Sequence, residues 1–277
     1  MGAVRATEPE SHALSGQHLR LKLAAVRLLT SAPIDRLLRN RRIPYGAARL
    51  LRVRIPDHSV ASGTAAAVFF GVYEPSERRS IQRGFPVDLP IVELGSGIGV
   101  ISSLLAFSMT KGPLVCVEAN ERLHDILCDN IAGNNPHGVE VHVVGKAVGA
   151  SAGAGVFLRD DDHLGSRSAT SEPTGDGSKL VEVQTVTLAE LTDQFSEYAL
   201  ICDVEGAEAA FIFAPDGLQG CAWMCIELHD TTWDGQPRSI DDLHAGVLAH
   251  GFNLEYVDGS VRVYSRPGAG ADERAGE

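Results

Sequence analysis

Long hydrophobic runs are missing from this sequence of 277 residues. The longest, Ala65 to Gly71, is far too short to cross a bilayer, so we expect no stable membrane insertion. The first ten residues, MGAVRATEPE, lack the basic-then-apolar order of a secretory signal. We therefore expect a cytoplasmic protein. An apolar content of 44% is ordinary for a soluble chain that can bury a substantial core.

Cysteine is also scarce, with five residues and no CxxC pair. An odd count without paired spacing argues against a disulfide framework and against structural zinc. Cys116, Cys202 and Cys225 lie in apolar runs typical of strands, and we expect them to be reduced and buried.

Basic charge is concentrated at one end of the chain. Residues 1–54 contain eleven Lys/Arg and three Asp/Glu, whereas the remainder contains 13 and 33. Aromatic residues that would stack on bases are almost absent from this segment, which argues against nucleic acid. Residues 1–16 are expected to be disordered, and apolar spacing predicts a helix at His18–Leu38. We expect this helix to dock on the acidic body of its own chain or of a homodimer partner.

Short apolar runs alternate with helical patterns from Leu89 onwards. Strands are predicted at 90–94, 114–118, 140–144, 199–203 and 223–228. Helices are predicted near 98–110, 121–133, 188–195, 207–213 and 239–250. The turn Asp258-Gly259-Ser260 joins two last runs, 253–257 and 261–265, into a hairpin. The sequence therefore predicts an α/β, Rossmann-like fold with a mostly parallel seven-stranded sheet, an antiparallel edge hairpin and one reversed edge strand.

The same patterns suggest a division of the chain. A basic extension covers 1–64, in which 43–60 reads as a loop followed by a short strand. The α/β domain covers 65–266, and a disordered tail covers 267–277. A polar, Gly- and Ser-rich insertion at 160–179 is long enough to be a lid, a binding loop or a disordered segment.

Three glycines follow the first predicted strand in the stretch IVELGSGIGV, residues 91–100. Glycine allows backbone N–H groups to approach a ligand closely, and ligands of such sheets lie beyond the carboxyl ends of the strands. A dinucleotide fingerprint would need a glycine where Val100 stands. Glu93 would repel a pyrophosphate but attract the ammonium and sulfonium groups of S-adenosylmethionine. The pattern therefore favours S-adenosylmethionine over NAD.

The next two strand ends supply further candidates. Glu118 in VCVEAN lies 21 residues after Gly97, where a carboxylate can accept the ribose hydroxyls of either cofactor. The stretch GKAVG, residues 145–149, falls where adenine should lie, near the backbone of Lys146 and Ala147. The cofactor-binding residues predicted from these patterns are Glu93, Gly95, Ser96, Gly97, Gly99, Glu118, Ala119, Asn120, Ala147 and Asp203.

The elements ELGSGIG, VEAN, CDVEGAE (202–208) and IELH (226–229) together resemble the FkbM family of S-adenosylmethionine-dependent methyltransferases. GVYEPSE (71–77) resembles the tyrosine-glutamate element of that family, and TVTLAEL (185–191) its TLDEL element, with Ala189 where an aspartate is common. The resemblance covers about residues 65–260. It implies a class I methyltransferase fold and O-methylation of a small molecule, such as a sugar, a polyketide or another secondary metabolite. It also implies that Tyr73 and Glu74 fold over the cofactor, with Glu74 near its amino-acid end.

Catalytic candidates lie at the ends of the fourth and fifth predicted strands. Methyl transfer needs an aligned acceptor, and a hydroxyl acceptor also needs a base. Asp203 and Glu205 follow the fourth strand, and His229, which titrates near neutral pH, is the best base candidate. Glu205 and Glu208 also suit the first turn of a helix, where acids favour the helix dipole. Asp203, Glu227 and His229 would suit a divalent cation such as Mg²⁺.

Other activities stay open from the sequence. The same fold also supports N-methylation or carboxyl methylation. An NAD-dependent oxidoreductase is a different class, against which Val100 and Glu93 argue. A non-catalytic nucleotide-binding protein is a third alternative, against which the retained acids and the glycine turn argue.

Overall fold

The computed structural model describes residues 30–46, 48–56, 60–159, 167–168 and 179–267. Several predictions therefore lie outside the described residues. These are the disordered start, most of the helix at 18–38, the tail, and nearly all of the insertion at 160–179. Within the described residues, no helix is both long and apolar enough to span a bilayer.

Short strands and helices alternate along the chain. The strands are β1 Arg42–Tyr45, β2 Ala48–Arg54, β3 Ile91–Leu94, β4 Leu114–Val117, β5 Val141–Val144, β6 Ala147–Val148, β7 Gly153–Arg159, β8 Arg167–Ser168, β9 Lys179–Val186, β10 Tyr198–Cys202, β11 Cys221–Glu227, β12 Thr231–Trp233, β13 Gln236–Arg238, β14 Asn253–Asp258 and β15 Val261–Ser265. The helices are α1 Ala32–Leu38, α2 Thr64–Phe70, α3 Pro75–Arg83, α4 Val100–Ser108, α5 His124–Ala132, α6 Leu188–Thr192, α7 Ala209–Ile212 and α8 Ile240–Ala249, with a 3₁₀ turn at Glu121–Leu123.

The central sheet has seven strands in the order β14-β15-β11-β10-β3-β4-β5. Strands β5, β4, β3, β10 and β11 are mutually parallel, and β15 runs antiparallel to both of its neighbours. Strands β3, β4 and β10 are buried at every position, as expected for parallel strands covered on both faces. The predicted α/β class, the five parallel strands and the edge hairpin are confirmed.

The position of the reversed strand differs from the prediction. The edge strand is β14, and the reversed strand β15 lies one place inside it, between β14 and β11. The two strands differ in apolar character, because Val261, Val263 and Tyr264 of β15 are buried whereas most of β14 is exposed. The inner position therefore goes to the strand that buries more apolar surface.

Two further sheet regions extend beyond what the sequence predicted. Residues 42–54 form the β1-β2 hairpin rather than a loop with one short strand, and Ile43, Tyr45, Leu51 and Val53 face the core at alternate positions. The segments that flank 160–179 pair with each other in a separate four-stranded sheet, ordered β6-β9-β7-β8.

The β1-β2 hairpin is joined to helix α5 and to the residues just after it by hydrogen bonds of asparagine side chains. Asn130 accepts from Arg54 N at 2.7 Å and donates to Arg54 O at 3.0 Å, while Asn134 makes the same pair of bonds with Arg52 at 2.9 and 2.7 Å. At the surface, Asp129 forms ion pairs with Arg42 and Arg54. The described part of the basic extension therefore docks on its own chain and shares the core of the domain.

Candidate active site

The glycine turn after β3 brings three elements together. Gly95, Gly97 and Gly99 have φ values of 85°, 53° and 80°, a region that favours glycine. A Cβ on Gly95 would lie 1.8 Å from the carbonyl oxygen of Asp203, so the turn packs directly against the end of β10. The carboxyl ends of β3 and β10 are therefore in direct backbone contact.

Glu118, directly after β4, closes the other side of this turn. Its Oε2 accepts from the backbone N–H of Gly97 at 2.8 Å, and its Oε1 accepts from that of Asn120 at 2.7 Å. Burial raises the pKa of Glu118, and the two N–H groups partly oppose that shift. The carboxylate is therefore fixed between the glycine turn and residues 119–120, with acceptor capacity left on both oxygens.

A cleft of about 470 Å³ opens beside this carboxylate. It is lined by residues 119–122, by Gly145, and by residues 181–184 of β9, so the separate sheet forms one of its walls. The predicted residues Ala119 and Asn120 lie in this lining. Ala147 belongs to β6, and Gly145 lines the cleft two residues before it.

Glu93 lies beneath the turn and is only 3% exposed. The Ser102 hydroxyl of α4 donates to its carboxylate. Burial raises the pKa of Glu93 to about 7, against the effects of nearby Ser102, Ser96 and Cys116. The Glu93 carboxyl is thus hydrogen-bonded within the protein. Its negative charge contributes to the raised pKa of Glu74.

Asp203 directly follows β10 and Glu227 is the last residue of β11. Their carboxyl groups lie close to that of Glu77 of α3. One carboxylate oxygen of each lies within 4.8 Å of the others. Burial, followed by the charges of Glu227 and Glu205, raises the pKa of Asp203 to about 7. Burial and Glu227 likewise raise the pKa of Glu77 to about 7, although a backbone hydrogen bond opposes them. Asp203 Oδ1 is buried and has no hydrogen-bond partner among the described residues.

His229 lies among these carboxylates. Its Nδ1 is 2.7 Å from Oε1 of the fully buried Glu208. Its Nε2 faces the crevice, at 3.6 Å from Glu205, 3.7 Å from Glu227 and 4.0 Å from Asp203. Burial lowers the pKa of His229, but the hydrogen bond and charge of Glu208 and the other carboxylates outweigh it and raise the pKa to about 9.

Tyr73 and Glu74 approach the same group from the turn before α3. Burial, then the charges of Glu77 and Asp203, hold the pKa of Glu74 well above its usual value, although the Tyr73 hydroxyl opposes this. We call the resulting cluster the acidic crevice; its carboxylates belong to Glu74, Glu77, Glu93, Asp203, Glu205, Glu208 and Glu227.

Two members of the acidic crevice were not assigned from the sequence. The sequence leaves Glu208 open between a first-turn acid and a crevice acid; in the structure its side chain caps no helix and contacts His229. Glu77 lies on the buried face of α3 with Ser80 and Ile81, an i, i+3, i+4 spacing that could have indicated an inward-facing acid.

Comparisons with known proteins give a family match and several similar solved structures. The family model described as "Methyltransferase FkbM domain" matches residues 93–254, more than half of the chain. A comparison with curated proteins gives no match. Similar solved structures include the methyltransferase FkbM from Methylobacillus flagellatus, at 13% identity, 90% of this chain, 60% of that chain and a TM-score of 0.43. Another is magnesium protoporphyrin IX methyltransferase from Synechocystis PCC 6803 with bound SAH, at 9% identity, 89% of this chain, 100% of that chain and a TM-score of 0.44.

The strand order, the reversed β15, the glycine turn after β3 and the acid after β4 define a class I, S-adenosylmethionine-dependent methyltransferase. The match of the family model is consistent with that class and is more specific. The chain belongs to the FkbM family of methyltransferases.

The acidic crevice makes stability depend on pH. Four groups hold protons in the folded chain at pH values where the unfolded chain has already released them. They are Glu77, Glu93 and Asp203, each with a pKa of about 7, and His229, with a pKa of about 9. Stability therefore falls as the pH rises, through the carboxyls from about pH 4.5 to 7 and through His229 from about pH 6.5 to 9. We expect the Tm of the ligand-free protein to fall by on the order of 10 °C between pH 5 and pH 9.

Calorimetry across that pH range checks this expectation. The double variant Glu77→Gln/Asp203→Asn should show a smaller decline in Tm. The matched variant Glu140→Gln/Asp216→Asn removes two negative charges from exposed positions and should follow the wild type. Equal slopes for the two double variants would contradict the assignment of the decline to the crevice.

Proposed function

We propose that this protein transfers the methyl group of S-adenosylmethionine to a hydroxyl group of a small molecule, such as a sugar, a polyketide or another secondary metabolite. One observation carries this proposal. His229 is held by Glu208 at the carboxyl end of β11, and its Nε2 lies 3.6 to 4.0 Å from oxygens of three crevice carboxylates, among them Asp203 beside the glycine turn. A base in that position can take the proton of a hydroxyl acceptor.

The crevice suits a cationic cofactor. S-adenosylmethionine supplies a methyl group on positively charged sulfur, and it also carries an ammonium group. Asp203 Oδ1 has no hydrogen-bond partner among the described residues, and its pair with the His229 imidazole is long, at 4.0 Å. The raised pKa of Glu74 is a feature of a carboxyl that lacks a compensating positive charge. On this proposal Glu74 and Asp203 face the amino-acid end of the cofactor, Glu93 adds charge from beneath, and Glu118 holds the ribose. The backbone of the glycine turn completes the pocket.

The charge state of His229 adds a condition to its role as base. With a pKa of about 9, the imidazole is protonated at neutral pH when no ligand is present. Two positive charges placed among the carboxylates would lower that pKa towards neutrality, where a general base is most effective. The carboxylate of Glu208 keeps the remaining proton on Nδ1, so the lone pair of Nε2 faces the acceptor. Asp203 and Glu205 flank the acceptor and help to align it.

Metal-assisted transfer is a second candidate. Single ligand atoms of Asp203, Glu205 and His229 lie within 4.8 Å of one another, as do those of Glu77, Asp203 and Glu227. Divalent cations prefer carboxylate oxygens, and a bound Mg²⁺ would lower the pKa of an acceptor hydroxyl. The predicted set Asp203, Glu227 and His229 spans both groups.

The first prediction from the proposed function concerns the cofactor. Isothermal calorimetry should detect S-adenosylhomocysteine binding to the wild type, and no NAD binding at comparable concentration. Glu118→Ala should weaken S-adenosylhomocysteine binding by about tenfold, because it removes the proposed ribose contacts and an anchor of the glycine turn. Glu140→Ala, at an exposed position, is the control and should bind as the wild type does. Binding of NAD in preference to S-adenosylhomocysteine would disprove the proposal.

A second prediction concerns His229 and needs no acceptor. In an NMR titration of the histidine rings, His229 should have a pKa of about 9 without ligand. Saturation with S-adenosylmethionine should lower this pKa by more than S-adenosylhomocysteine does, because only the former carries the sulfonium charge. Glu208→Gln should lower it in the free protein, because a negative charge is removed. The exposed His137 is an internal reference; a His229 pKa that neither ligand changes would exclude the base role described here.

Metal-assisted transfer makes its own prediction. Mg²⁺ at millimolar concentration should raise the Tm of the wild type and release bound protons, because metal ligands must be deprotonated. Glu227→Gln should abolish both effects, whereas Glu140→Gln should retain them. Without any Mg²⁺-dependent change in the wild type, the metal candidate fails and transfer with His229 as base remains.

A further inference from the structure

The turn that carries Tyr73 and Glu74 into the crevice has an unusual backbone. Gly71 has a φ of 70°, and Glu74 has φ 39° and ψ 53°. The left-handed region is costly for a residue with a Cβ, so neighbouring structure must hold Glu74 there. Its side chain caps no helix, although Glu74 stands at the N-cap position of α3.

The contact that holds this turn comes from the N-terminal extension. Tyr45, the last residue of β1, is fully buried, and its hydroxyl lies 2.8 Å from the carbonyl oxygen of Tyr73 and 3.3 Å from that of Glu74. The backbone N–H of Arg78 donates to the same Glu74 carbonyl at 3.1 Å. One side chain from the extension thus binds the backbone of both residues that face the acidic crevice.

Close backbone packing allows this contact. A Cβ on Gly46 would lie 2.8 Å from the Cα of Gly71, so only hydrogen atoms separate the β1-β2 turn from the turn before α3. Gly46 N also donates to the Val68 carbonyl at 3.1 Å. The extension and the end of α2 are therefore in direct backbone contact.

The other end of α2 is fixed by the extension as well. Asp35 of α1 is 1% exposed, and its Oδ1 accepts from the backbone N–H groups of Ala65 and Ala66 at 2.8 and 3.3 Å. Its Oδ2 pairs with Arg39 at 2.5 Å. Asp35 thereby supplies the N-terminal hydrogen bonds that Gly63, the residue at the N-cap of α2, has no side chain to make.

We propose that the N-terminal extension is part of the cofactor site, with Tyr45 as a positioning residue for Tyr73 and Glu74. Tyr45 holds the 71–74 turn through the Tyr73 and Glu74 carbonyls, and Asp35 fixes the helix that leads into it. The carboxylate of Glu74 is then preorganised to receive the amino-acid end of S-adenosylmethionine. On this proposal Tyr45 acts through the backbone of this turn. This inference rests on the proposed function, because it uses the cofactor assigned there.

A pair of ligands and a pair of tyrosines test the proposal. S-adenosylhomocysteine has the amino-acid end of the cofactor, whereas 5′-methylthioadenosine lacks it. Tyr45→Phe should weaken the binding of S-adenosylhomocysteine by about fivefold, the effect expected for one lost buried hydrogen bond, and should leave that of 5′-methylthioadenosine unchanged. Tyr198→Phe is the matched control, because Tyr198 is also fully buried and its hydroxyl lies near Thr192 and Cys221 rather than at the 71–74 turn. It should bind both ligands as the wild type does.

A second variant perturbs the same turn without removing the Tyr45 hydroxyl. Gly46→Ala places a methyl group against Gly71 and should cause the same selective loss, with Tm recorded for every variant. Equal losses for both ligands, or no loss for S-adenosylhomocysteine in Tyr45→Phe, would overturn the positioning role while leaving the proposed function intact. If the wild type binds neither ligand, the proposed function itself fails.

Discussion

The electrostatic properties of the candidate site depend on the crowding of carboxyl groups at the ends of β10 and β11. Charged carboxylates that are partly removed from water repel one another, and each holds a proton or needs a cation. In this protein that need is met in part by His229, whose imidazolium is stabilised by Glu208. On the proposed function, a ligand that brings positive charge would replace protons in the crevice and so link cofactor binding to the protonation of His229. One electrostatic constraint would then connect stability, binding and chemistry.

Much of the fold was predictable because its signals are local. The apolar runs at β3, β4 and β10 and the glycines after β3 are read within a few residues, and parallel strands necessarily bring their carboxyl ends to one edge. Asp203 and His229 could therefore be placed together without a structure. The order of the last two strands could not, because it depends on which strand buries more surface once the hairpin docks.

The contacts that escaped prediction are side-chain contacts between separate elements. Glu208 and His229 are 21 residues apart, and Tyr45 is 28 residues from Tyr73. Neither pair has a periodicity that sequence reasoning can use, and both depend on how elements pack after they form. The extension illustrates this most clearly, because its arginines suggested docking, whereas the specific contacts come from its tyrosine, its aspartate, Asn130 of α5 and Asn134 just after that helix.

The hydrogen bonds that Asn130 and Asn134 make with β2 also have a consequence for synthesis on the ribosome. Arg54 and Arg52 bond to asparagines that lie 76 and 82 residues later in the chain. The N-terminal hairpin therefore emerges well before the helix that receives it, with its apolar face uncovered in the meantime. Its docking closes a long loop, so the hairpin is expected to join the nascent domain late. A chaperone that shields exposed apolar segments would find its target here during that interval.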